Sequence, residues 1–425
     1  MPGTRTRVSC AATALALCAA LAGCGGDAGA AGGKVTLRFT WWGNADRAAL
    51  TDKAVAAFEK THPDIDIQTS YAPYESYKQK LATQAAGGDA PDVMQLDYRQ
   101  ISQYAGSGVL RDLSTVRRTL PTGAMPHSLL KSGRVGGKQY ALPMGVGTQA
   151  MAYDRKAWRE AGLKEPKPGW TWDDWESAVR RLKKANGVYG MTDPGSFEDW
   201  FEVWLRGRGK ELYDAKGQAA FTAGDLDRFW SYATKLRKEG LVSPATSTTQ
   251  MDGSVENAPM GRKQAVAEFN WDAPSAGYEA MVGKNLALAP MPSGADGTPG
   301  QYFKPAMLVG IAANSEHPRE SAQFIDFLLN SREGTKILGV DRGLPVNATA
   351  RARVVPKLTG FQKEMADLQK KLTGRLKEPP AAPPRGDNAL QSVFGRDYDQ
   401  VAFERATPRQ VAEDFLTEAR AELRP

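Results

Sequence analysis

The chain has 425 residues, 24% charged and 41% hydrophobic, with three cysteines, Cys10, Cys18 and Cys24; a length of this order divides into two or more domains, each with its own core, and beyond Cys24 no disulfide can form. The three histidines, His62, His127 and His317, are scattered and give neither zinc-ligand spacing nor a nucleophile–base pair, so no metal and no cofactor are expected. The formal charge of +7, or +5 without residues 1–23, comes from Lys and Arg interspersed with Asp and Glu, a solvated surface rather than a nucleic-acid footprint.

Arg5 and Arg7 precede an apolar run from Val8 to Leu21. At about 14 residues it is shorter than the roughly 20 a membrane-spanning helix needs, so residues 1–23 are predicted to be a secretory signal and the mature chain to lie outside the cytoplasm. Leu21-Ala22-Gly23-Cys24 resembles a bacterial lipobox, which implies cleavage before Cys24 and acylation of that residue. Residues 24–33, rich in Gly and Ala, then form a flexible tether of roughly 15–18 Å, enough to lift a domain off the membrane holding the lipid.

Val35, Leu37, Phe39 and Trp41 alternate with other residues and predict a strand. Leu50, Ala54, Ala57 and Phe58 share a helical face that stops at His62-Pro63. Ile65 and Ile67 mark a second strand, Tyr74, Tyr77, Leu81 and Ala85 a second helix, and Asp92–Leu96 a third strand. This order argues for an open, mostly parallel sheet covered by helices, an α/β fold. Tyr140–Gly147 reads as an extended segment crossing into a second lobe. Thr171 with Asp174 predicts a capping box opening a helix that buries Trp175, Val179 and Leu182. Ser196 is expected to open a helix with Phe197, Phe201, Trp204 and Leu205 on its stripe; Trp200 at the stripe's edge and Glu202 outside it face either the cleft or solvent, with solvent the expected state. A third helix carries Leu226, Phe229, Trp230, Ala233 and Leu236, so Trp175, Trp204 and Trp230 read as core. Strands are expected at Gln264–Phe269, Asn285–Ala289 and Ala306–Ala312, then helices over Arg319–Asn330, around Phe361–Leu372 and from Pro408 onward, with Pro379–Pro384 a stiff connector.

The stretches Val35–Gly43, Phe58–Ile65, Gly88–Val93, Gln139–Pro143, Thr171–Trp175 and Gly261–Val266, in this order after a lipobox, resemble the extracellular solute-binding proteins of ABC transporters, in the lipoprotein branch that captures oligosaccharides. Gly261-Arg262-Lys263 departs from the Gly-Lys pair usual there. The resemblance implies a two-lobed, periplasmic-binding-protein-like fold with hinge-connected lobes and an interlobe ligand cleft. On this reading residues 34–144 are the first lobe, 145–304 the second, 305–347 return to the first, and 348–425 end as a helical part of the second.

In an open parallel sheet, ligands sit beyond the carboxyl ends of the strands, which singles out Trp42 and Asn44 after the first strand and Asp97 and Tyr98 after the third. Aromatic faces suit the CH face of a sugar, and Asp, Asn, Gln and Arg suit its hydroxyls. Gln149 beside the hinge, Trp271 and Asp272 after a second-lobe strand, and Arg342 on a Gly-Pro turn complete the candidate set; the resemblance also places a stacking aromatic near Trp271. Four have a structural alternative: Trp42 capping the sheet, Asp97 opening the next helix, Trp271 in the core, Arg342 in a salt bridge. The leading function is a non-catalytic, monomeric lipoprotein that closes on an oligosaccharide or other sugar and presents it to an ABC permease. A secreted glycoside hydrolase needs two facing carboxyl groups, for which Asp97 and Asp272 are the available pair. A carbohydrate-adhesion lipoprotein predicts no closable pocket.

Overall fold

The computed structural model describes residues 33–251 and 254–423; the signal segment 1–23, Cys24 and the tether up to residue 32 lie outside the described residues. Strand β1 (Val35–Trp42) turns Leu37, Phe39 and Trp41 into the core. Asn44 then caps the helix Ala45–Thr61, which ends at His62 because Pro63 cannot continue it. Strand β2 (Ile65–Ala72) pairs parallel with β1, Val35 opposite Ile65. After the helix Tyr74–Ala86, β3 (Val93–Leu96) pairs parallel with the other edge of β1.

A two-residue hairpin, β4 (Arg134–Val135) with β5 (Lys138–Gln139), leads into β6 (Ala141–Asp154). The remaining strands are β7 (Ala267–Trp271), β8 (Leu286–Ala289), β9 (Phe303–Ile311) and β10 (Leu344–Pro345). The first half of β6 pairs antiparallel with β9 as far as Thr148–Phe303, and from Gln149 onward it pairs with β7 and β8. β6 therefore runs unbroken out of one sheet, ordered β10-β6-β9-β3-β1-β2, into another built on its second half. Where β10 crosses it, only glycine fits: a Cβ on Gly145 would lie 1.9 Å from the Arg342 carbonyl oxygen.

Each sheet carries apolar packing on both faces. In the first lobe Phe39, Phe58, Val309 and Phe324 pack on one side, and Tyr77, Leu81, Met94 and Leu308 on the other. The second lobe is more aromatic, with Trp175, Phe201, Trp230, Phe394 and Phe415 in one cluster and Leu286, Leu288, Phe361 and Leu368 in another. Trp175, Trp204 and Trp230 are buried as their helical spacing indicated.

Several local expectations change. Ser196 ends a tight 3₁₀ turn in which Asp193 accepts from the Gly195 amide, so the helix starts at Glu198 and runs to Arg206. Trp200 and Glu202 are buried rather than solvent-facing, because that helix is enclosed nearly all round. The segment expected to be a strand from Gln264 first bonds to Tyr189, which moves β7 on to Ala267–Trp271 and puts Trp271 inside the strand. A helix over Asp387–Ala402 was not anticipated; it is preceded by Gly386 at φ 92° with no side-chain cap, so the usual start signal is missing.

Candidate functional site

The two lobes meet where β3 ends, β9 begins and the helix Glu198–Arg206 starts. β9 runs antiparallel to β3, with Leu96 opposite Leu308, so Tyr302 and Lys304 fall beside the turn that follows β3. That turn is fixed by a capping box: the Asp97 carboxylate accepts from the Arg99 amide at 2.8 Å, and the Gln100 side chain accepts from the Asp97 amide. The box aims Arg99 at the second lobe.

Arg99 ties the lobes together. Its guanidinium contacts Asp387 at 2.6 Å, Glu198 at 3.1 Å and Asp199 at 3.2 Å, carboxylates in the first turns of two second-lobe helices. Acidic residues are favoured there by the helix dipole as well. Burial works against the Arg99 charge, but Asp387, Asp199 and Glu198 outweigh it and hold the guanidinium well above its ordinary value. Burial, then the nearby Asp387 charge, push Glu198 well above the usual carboxylate range. Glu202, also raised by burial, accepts from the Tyr302 hydroxyl at 2.6 Å. The connector seals one side: Tyr98 donates to the carbonyls of Pro380 and Ala381 at 2.9 and 2.7 Å, and Ser102 to that of Pro383 at 2.6 Å. A cavity of about 90 Å³ remains, lined by Tyr98, Arg99, Glu202, Tyr302, Lys304, Asp387 and the connector.

The residues singled out from sequence divide into two groups. Asp97 and Tyr98 lie at this junction, and Trp271 is brought to it by Lys304, whose Nζ sits 3.6 Å from the Trp271 ring centroid. The Asp97 carboxylate serves the cap of its own turn, Oδ1 accepting from the Arg99 amide. Trp42, half-buried, packs on Tyr74 and Tyr77 at the end of β1. The others are engaged internally. Asn44 caps its helix through the Arg47 amide. Gln149 is buried, its Oε1 accepting from the Tyr302 amide. Asp272 accepts from the Thr148 and Ala273 amides on one oxygen and from Gln369 on the other, and burial raises it to about 6 against these bonds. Arg342 donates from its three nitrogens to Gln95, Asp341 and Thr51 within the first lobe; burial and the like charge of Arg47 lower it to about 9. Sequence reasoning missed Arg99, Tyr302, Lys304 and Asp387. Only Arg99 had a local pointer, its place beside Asp97 and Tyr98.

A family model described as bacterial extracellular solute-binding protein matches residues 41–334. An uncharacterized lipoprotein of Streptomyces antibioticus is 27% identical over 375 residues, 81% of this chain and 77% of that protein. The diacetylchitobiose-binding protein of Streptomyces coelicolor is 24% identical over 278 residues, 61% of each chain. Among solved structures, a periplasmic oligogalacturonide-binding protein from Yersinia enterocolitica, in complex with digalacturonic acid, is 26% identical with a TM-score of 0.79, covering 92% of this chain and all of that one. With the fold, the two-lobed junction and a family match over most of its length, the chain belongs to the bacterial extracellular solute-binding proteins.

Proposed function

We propose that the protein captures a saccharide between its lobes and delivers it to the membrane permease of an ABC importer. The observation that carries this reading is the polar, aromatic-edged cavity at the lobe junction, in a chain whose relatives include proteins named for binding diacetylchitobiose and oligogalacturonide. The cavity, about 90 Å³, is well below the roughly 300–1,000 Å³ of typical ligand sites, so the ligand enters when the lobes part. The hinge in this account is β6, where it changes partners between Thr148 and Gln149, and the lobes divide the chain as 34–144 with 305–347 against 145–304 with 348–425. Asp97, through its carboxylate, and Trp42, through its ring, are the ligand contacts retained from the sequence set.

The reading is non-catalytic. Asp272, the partner a hydrolase would need for Asp97, spends both oxygens on internal hydrogen bonds. An acylated Cys24 would anchor the chain, a reading supported by the lipoprotein relative; no helix among the described residues is long and apolar enough to cross a membrane. A single copy supplies both walls of the cavity, so a monomer suffices. A thermal-shift screen of the protein against neutral, N-acetylated and uronic disaccharides tests the reading, because a ligand that binds only the folded state raises its stability in proportion to RT ln(1 + [L]/Kd). A concentration-dependent rise for at least one sugar is expected. No rise with any of them, together with release of cleaved sugar, would replace the binding reading with the hydrolase.

A further inference from the structure

Lys304 was not among the residues the sequence singled out, yet it stands at the centre of the junction. It lies on β9 opposite Gly147, while Trp271 lies on β7 opposite Gln149, so β6 sets the two side chains near one another. Its Nζ lies 3.6 Å from the Trp271 ring centroid, well inside the roughly 6 Å reach of a cation–π contact. Trp271 itself packs against the second-lobe core. No carboxylate among the described residues comes within ion-pair distance of Lys304. The neighbouring Arg99, in contrast, has three, and Glu202 is taken up by Tyr302. A half-buried ammonium that lines a cavity and lacks an anionic partner keeps its N–H donors for whatever fills that cavity.

We propose that Lys304 is the ligand-recognising cation of the cleft and that Trp271 is a positioning residue, the seat that holds its ammonium in place. The role rests on the saccharide reading above: ring and hydroxyl oxygens, or a uronic carboxylate, would accept from Nζ. Trp271 then acts through Lys304 rather than as an open stacking platform. The charged groups facing Lys304 are Asp97 and Arg99 on the turn after β3, and Asp199 and Glu202 on the helix Glu198–Arg206. Burial holds the ammonium below the usual lysine value, and Asp199 and Asp97 restore only part of the loss.

Titration calorimetry with diacetylchitobiose and digalacturonic acid between pH 6 and pH 10 tests the role, with melts of every variant to confirm folding. For the sugar that the wild type binds, Lys304→Met is expected to bind about tenfold more weakly or worse at pH 7 and to show little pH dependence. Wild-type affinity is expected to fall as pH rises through the lowered ammonium value, and Lys304→Arg to move that fall to higher pH. Trp271→Phe, which keeps an aromatic seat, should bind better than Trp271→Ala. If Lys304→Met binds as tightly as wild type or more so, the ammonium only covers Trp271 and the proposal fails while the saccharide reading stands. If affinity falls in Lys304→Met but keeps the wild-type pH profile, the side chain is structural and the proposal also fails. If the wild type binds neither sugar, the saccharide reading loses its support and the role of Lys304 falls with it.

Discussion

Asp272 shows how one buried side chain serves structure where sequence suggested recognition. It joins the β6 backbone to the end of β7 and to Gln369 of the helix Gly360–Leu372, and burial raises its carboxyl to about 6. A carboxyl raised in the folded state binds its proton more tightly there than in the unfolded chain. Its contribution is therefore most favourable below the unfolded value near 4 and is lost as pH rises through about 6. Two pKa units correspond to roughly 3 kcal/mol. Wild type should lose stability relative to Asp272→Asn between pH 4 and pH 6.5, measured by urea unfolding at each pH; parallel pH profiles would show that Asp272 does not titrate in that window. Glu268, raised by burial to about 7, acts in the same sense in both proteins and drops out of the difference. Asp97 has the opposite character, its carboxylate bonded, among the described residues, only to the backbone of its own turn. Asp97→Ala should weaken saccharide binding by about tenfold, seen by calorimetry, and cost about 1 kcal/mol of stability from the lost cap. Unchanged affinity would remove Asp97 from the site.

Among the elements, β6 carries the fold's central device, because its two halves belong to different sheets while its backbone continues through both. Gly145 is required there by the Arg342 carbonyl. Gly145→Ala is expected to destabilise by about 1–3 kcal/mol, the usual cost of overpacking, whereas Gly136→Ala, in open space on the β4–β5 turn, lacks that clash and is limited to the strain of its φ of 56°. Equal losses in chemical denaturation would place no special demand on the crossing. The strand–helix alternation up to Ala86 was legible in sequence because each element there ends at a proline or glycine, and β3 was legible as a short apolar run buried on both faces. The helix Asp387–Ala402 was not, since it starts after an uncapped glycine. The site was legible only in part, for the same kind of reason. Strand ends point to Asp97 and Trp271, but the partners of Arg99 lie on helices that begin near residues 198 and 387, and no local pattern pairs residues so far apart. Lys304 sits at the start of a strand that sequence placed three residues too late, so its position beside the junction could not be seen.

At the scale of the whole molecule, the lobes are held by a cluster in which one guanidinium faces three carboxylates, with Tyr98 and Ser102 bonded to the connector alongside. Removing the cation would leave buried carboxylates unpaired, a loss of about 3–5 kcal/mol that separation of the lobes relieves by rehydrating them. Arg99→Met should therefore favour the open form, with a larger radius of gyration by small-angle scattering; an unchanged profile would mean the cluster does not hold the lobes. Ligand favours closure only if it touches both lobes, since a ligand shifts an equilibrium by no more than its differential affinity for the two states. The central claim is that a saccharide binds between the lobes and draws them together. With no native cysteine after Cys24, spin labels can be attached at Lys138→Cys in the first lobe and Lys216→Cys in the second, both exposed. Pulsed electron–electron resonance on this pair, in the Arg99→Met background, should give a broad distribution that collapses to shorter distances on addition of a bound saccharide. A distribution that stays the same at calorimetrically demonstrated saturation would contradict the account.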